Sequence, residues 1–166
     1  MNAMSTWFFV LSLLGVLMPR EGMAQTISAS LIVAELKALG YSADIDKDDS
    51  GDPRINTKVD GYDWSVYMYE CDDSGALPDR QCGSFQFYSG YTPSKTTPLQ
   101  TINKWNTEER YAKAYNYVLK GGKVSSRIEI DVIVRGTDIN PAKTFRNYFE
   151  VMQKKATGFR KAIGFS

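Results

Sequence analysis

Apolar positions in this chain recur with two different spacings, and the switches between them divide it into elements. The clearest run lies near the end, where Phe145, Phe149, Met152, Ala156, Phe159 and Ile163 alternate steps of four and three. That spacing draws one continuous apolar stripe down a helix, which needs a sheet to cover. Asn140 is placed to cap the helix, and Pro141 suits its first turn. A shorter helix is predicted from residue 28 or 30 to residue 39, with Ile32, Leu36 and Leu39 on one face and Gly40 positioned to end it. A third is predicted over residues 98–110, with Leu99, Ile102 and Trp105 in line and Thr97 as its cap.

Elsewhere the spacing drops to two. Ile55, Thr57 and Val59 alternate with Arg54, Asn56 and Lys58 up to Asp60-Gly61, a strong short hairpin signal. A two-residue turn there sets Thr57 opposite Trp64, Ile55 opposite Val66 and Lys58 opposite Asp63. Residues 41–45 look extended, and residues 84–91 form a further strand with Phe85, Phe87 and Tyr91 on one side. Residues 111–119 and 124–134 flank Gly121-Gly122, whose tolerance of positive φ allows a second two-residue turn. That register places Tyr115 opposite Ile128 and Tyr117 opposite Ser126, with Tyr111, Tyr115 and Tyr117 facing the core. Lys113 then falls opposite Ile130, a misfit that means either a lysine snorkelling at a sheet edge or a loop longer than two residues. The predicted order is α-β-β-β-α-β-β-α: an α+β fold whose antiparallel sheet carries its helices on one face.

Residues 7–18 are mostly apolar, in the range of a signal-peptide h-region and well short of a membrane span of about 20 residues. Small residues at Gly22 and Ala24 suit a cleavage site, so residues 1–24 read as a signal peptide and residues 25–166 as one mature domain. The n-region has no Lys or Arg and depends on the terminal amine, and the start could also be Met4. A periplasmic or secreted location follows, with no stable membrane insertion after cleavage. In that compartment the only two cysteines, Cys71 and Cys82, are expected to form a disulfide closing a loop rich in turn formers. A CxxC redox or metal pair is excluded by their spacing.

The formal net charge is +1, which gives no general attraction for polyanions. With no histidine in the chain, His-based triads, imidazole bases and most zinc sites are excluded. Glu129 and Asp131, about 7 Å apart on one strand face, are the carboxylate pair an enzyme could use, but their alternation with Arg127 and Arg135 is that of a solvated face. Asp46, Asp48, Ser50 and Asp52 form an acidic loop that resembles the start of a calcium site. Thr57 stands where the bidentate Glu would be, so turn chemistry explains that loop better. Tyrosines with Lys113, Lys120 and Lys123 could stack single-stranded bases, but the core-facing register argues against nucleic acid. No cofactor is implied.

The order of elements, the segment Ile102-Asn-Lys-Trp-Asn106, Arg110-Tyr-Ala-Lys-Ala-Tyr115 and the closing Phe159-Arg-Lys-Ala-Ile-Gly-Phe165 resemble the YbjN family, from about residue 28 to residue 165. The family is described in terms of bacterial sensory transduction, and the resemblance implies a fold similar to the type III secretion chaperones. An export signal and a cysteine-closed loop set this chain apart from the usual member. The expectation is a non-catalytic protein that binds a protein or peptide, with a homodimer as one form. Trp105, Asn106 and Arg110 are the candidate partner-binding residues, although Trp105 fits a core anchor and Asn106 a helix-end turn equally well.

Overall fold

Ser28 accepts a hydrogen bond from the Leu31 N–H at 3.3 Å and so caps α1 (Ala29–Ala38). At its other end Gly40, with φ of 88°, lets the Tyr41 and Gly40 N–H groups reach back to Leu36 and Lys37, which satisfies carbonyls the helix leaves open. The computed structural model describes residues 25–136 and 140–165; the segment read as a signal peptide lies outside them. After α1 come β1 (Ala43–Lys47), β2 (Pro53–Val59), β3 (Tyr62–Cys71), a 3-10 turn (Leu77–Asp79), β4 (Cys82–Tyr91), α2 (Leu99–Glu108), β5 (Lys113–Val118), β6 (Val124–Ile133) and α3 (Pro141–Ala162). The predicted order holds, with the extended residues after α1 taking their place as an edge strand. All strands join one antiparallel sheet in the order β1-β2-β3-β4-β6-β5.

The core lies between this sheet and the helices. Phe145 and Phe149 of α3 pack on Phe85, Phe87 and Trp64, with ring centroids 5.3–6.1 Å apart. Ile32 and Leu36 are fully buried from α1, and Trp105 of α2 meets Phe159 edge-on at 5.1 Å. The stripe read along α3 is buried from Phe145 to Phe159, and Asn140 caps the helix by accepting from the Lys143 N–H. Beyond its C-terminus, Phe165 turns back onto Tyr91 at 5.2 Å.

The first hairpin has the predicted register, with Thr57 opposite Trp64 and Lys58 opposite Asp63. The second does not. Val118 pairs with Val124, and the Leu119 N–H bonds the Lys123 carbonyl, so the loop is Lys120-Gly121-Gly122, one residue longer than predicted. A one-residue slip turns every side chain of a strand over. Ala114 is therefore buried, Lys113 lies opposite Glu129, and Tyr115 and Tyr117 point away from the core. Tyr111, also expected inside, is 63% exposed.

Two smaller expectations change for local reasons. Leu39 and Leu99 sit at helix ends where the apolar stripe no longer meets the sheet, and Leu99 is 68% exposed. Thr97 is not the cap of α2: its buried hydroxyl accepts from Ser126 Oγ at 2.7 Å, and the helix begins one residue later, after Pro98.

Candidate functional site

The disulfide forms as predicted. Cys71 and Cys82 are directly paired at the ends of β3 and β4 with Cα atoms 3.9 Å apart. Both backbone groups of Cys82 bond Ile27 instead of Cys71, which makes the cysteines a non-hydrogen-bonded pair, the kind whose side chains lie closest.

The other sequence-derived residues take different places. Trp105 is 6% exposed and lies against Phe159, with Gly158 of α3 alongside the indole. Asn106 uses its whole amide on β5: Oδ1 accepts from the Ala114 N–H at 2.8 Å and Nδ2 donates to the Ala114 carbonyl at 2.9 Å. It thereby stands in for the next strand at the sheet's edge. Arg110 is exposed beside the Tyr111 ring. In the acidic loop, Asp48 accepts from the Ser50 and Asp52 N–H groups, Asp46 pairs with Arg54 at 2.7 Å, and Asp52 lies 3.8 Å from Arg80. The Lys47 N–H and then Arg54 hold the Asp46 carboxyl below its usual range, whereas burial, followed by the Asp48 charge, pushes Asp52 up. Turn bonds and arginines thus occupy these carboxylates, and no group of three or more metal-ligating side chains converges among the described residues.

The uncovered face of the sheet concentrates the remaining chemistry. Core-facing residues alternate along β3, β4, β6 and β5 with Tyr67, Tyr69, Tyr88, Arg127, Tyr115 and Tyr117, and none of the described helices packs on that side. Tyr67 and Tyr88 meet edge-on at 5.9 Å. The Arg127 guanidinium lies 3.5 Å from the Tyr117 centroid and 5.4 Å from that of Tyr88. Gly90 suits this arrangement, since a Cβ there would come within 3.0 Å of the Tyr88 hydroxyl and 3.1 Å of Ser125 Oγ, and those side chains would have to shift. Burial pushes the Tyr88 phenol up to about 12 and also raises Tyr69 and Tyr115.

Glu129 and Asp131 share this face. Buried Glu129 accepts from Tyr115 at 2.9 Å and pairs with Lys113 at 2.5 Å, and Asp131 accepts from Gln86 at 2.6 Å. Each carboxylate is held by neighbours of the sheet itself, which is the work of a structural network. Sequence reasoning missed the face as a unit because its β5 tyrosines depended on the hairpin register. The available signal was Lys113, whose predicted apolar partner did not suit it.

The family model described as "Putative bacterial sensory transduction regulator", YbjN, matches residues 28–165, from the cap of α1 to the ring that closes over Tyr91. The chain belongs to the YbjN family. A search of curated proteins gave no match.

Proposed function

We propose that this protein is an exported, non-catalytic regulator that binds a protein or peptide partner through the tyrosine-rich face of its sheet. The observation that carries this reading is the set of five outward tyrosines around Arg127 on a face left open by the described helices. Tyrosine and arginine are the side chains most enriched where binding energy concentrates, because they bury large area at little entropic cost and still hydrogen-bond. The family description agrees with a regulatory role, and the disulfide is compatible with an oxidising compartment. Among the described residues no helix is long and apolar enough to cross a membrane. In this reading Trp105 and Asn106 support the face from behind by packing and edge-capping, and Arg110 lies outside it.

Two measurements test the proposal. N-terminal sequencing of the protein from cells should begin at Gln25; an intact Met1 or Met4 in the cytoplasm refutes export. Affinity capture from envelope extract should recover a partner with the wild type and lose it with a Tyr69→Ser, Tyr117→Ser double variant of unchanged melting temperature. Equal recovery by both proteins removes the face from consideration, and sedimentation of the free protein shows whether a second copy is the occupant.

A further inference from the structure

We infer that the open face recognises an extended peptide segment of its partner through an Asp or Glu side chain received by Arg127. The inference rests on the binding role proposed above and specifies the ligand. Among the strand cations of this face, Arg54 pairs with Asp46 at 2.7 Å, Lys58 with Asp63 at 2.5 Å, and Lys113 with Glu129 at 2.5 Å. Arg127 pairs with no described carboxylate, and its Nε is buried without a hydrogen-bond partner among the described residues. The rings of Tyr117 and Tyr88 hold its guanidinium in place. A planar fork held in this way, beside the Tyr115 hydroxyl that donates to Glu129, has little rotamer freedom left to lose and has no carboxylate, the acceptor it matches best, among the described residues.

The surroundings decide between sources of negative charge. A nucleic-acid backbone needs a row of free cations, but the next outward positions of β6 after Arg127 are Glu129 and Asp131, which would repel successive phosphates. Tyr115 and Tyr117 face outward, so these carboxylates, and not the strand register, disfavour stacked bases. A peptide C-terminus is captured by a nest of free backbone N–H groups. β4 and β6 are interior strands whose N–H groups belong to the ladders, so the face offers side chains only. One acidic side chain on a passing chain, flanked by residues that lie on the tyrosine rings, satisfies both conditions.

The test is selection from a random peptide display library on the purified disulfide-bonded protein, followed by titration of the enriched peptides and of a deoxythymidine oligonucleotide. The wild type should enrich peptides with a fixed Asp or Glu, and changing that residue to Asn or Gln should weaken binding about ten-fold. Arg127→Gln should lose the acidic preference to the same extent, and Arg127→Lys should restore part of it, with both variants melting as the wild type does. Peptides enriched without acidic bias but lost in the Tyr69→Ser, Tyr117→Ser variant would overturn the carboxylate inference and leave peptide binding by the face standing. Failure to enrich any peptide, or oligonucleotide binding tighter than that of any peptide, would overturn both.

Discussion

Trp105→Ala is the sharpest test of how this fold is held together. The indole is 6% exposed, meets Phe159 at 5.1 Å and rests on the Gly158 backbone, so truncation leaves a cavity that helix α3 cannot easily fill. A buried tryptophan covers about 150–250 Å², and removing one costs about 3–5 kcal/mol once the cavity is included. For a chain of this size that lowers the melting temperature by roughly 10 °C. Trp105→Phe gives a second, independent magnitude. The indole Nε1 is buried and has no hydrogen-bond partner among the described residues, so phenylalanine removes an unsatisfied donor whose burial costs about 1–3 kcal/mol. That gain offsets part of the lost area, and the net cost should stay below about 1.5 kcal/mol. Urea unfolding followed by circular dichroism reads both variants on one scale. An alanine variant within about 1 kcal/mol of wild type, or a phenylalanine variant as damaged as alanine, would show that the indole is not the anchor the packing implies.

Reducing the Cys71–Cys82 disulfide, which closes a loop of sequence separation 11, should cost about 3 kcal/mol on the chain-entropy argument, measured by urea unfolding with and without reductant. Asn106→Ala frees both backbone groups of Ala114 at the sheet edge; the Ala114 amide should exchange with solvent faster, and stability should fall by about 1–2 kcal/mol, whereas Asn106→Asp keeps the bond from the Ala114 N–H. The Tyr88 phenol is raised from 10.0 to about 12 on folding, so its contribution is complete below pH 10 and is lost as pH rises towards 12, because the unfolded chain releases that proton first. Tyr88→Phe should therefore flatten part of the alkaline decline in stability, and an unchanged decline would mean that the ring is more solvated than its packing indicates. Lys113, raised chiefly by its bond to Glu129, works in the same direction: its contribution is present below its ordinary range and fades above it, so Lys113→Met should also shorten the alkaline decline.

The helices and the first hairpin were legible because each is over-determined locally. The α3 stripe agrees with the Asn140 cap and Pro141, and Asp60-Gly61 admits only a tight turn, which fixes every pair from Ile55 and Val66 to Lys58 and Asp63. The second hairpin was under-determined. Two glycines with φ of 95° and 82° suit a two-residue loop and a three-residue loop alike, and the strand they feed has too few strongly apolar residues to choose between registers. β1 was legible only as extended chain, since Ala43 and Ile45 are its only inward apolar residues. The candidate face stayed hidden for a related reason. Alternation of polar residues reads as solvent exposure whether or not anything binds there, and only the three-dimensional pairing sets Gly90 beside Arg127 under the Tyr88 ring.

The edges of the sheet bear on the binding role proposed for its face. A partner strand added to β5 would need the outward backbone groups of Ala114, but Asn106 already fills both. At the opposite edge β1 is five residues long and carries Asp44, Asp46 and Lys47, the charged, short design that discourages strand addition. With backbone pairing occupied at Ala114 on one edge and discouraged on the other, the proposed recognition is better served by side chains. The sheet sorts its aromatic side chains accordingly: Phe85, Phe87 and Trp64 turn toward the helices, and Tyr67, Tyr69, Tyr88, Tyr115 and Tyr117 turn away. Tyr62 and Tyr91 depart from this division, and Phe165 packs on both. A face built only to meet water has no use for five large rings, whose apolar bodies are better covered. Their hydroxyls are in part committed within the face, Tyr115 donating to Glu129, beside an arginine that pairs with no carboxylate among the described residues. The same division of aromatic side chains that closes the core on one side thus leaves, on the other, the tyrosine face for which partner binding is proposed.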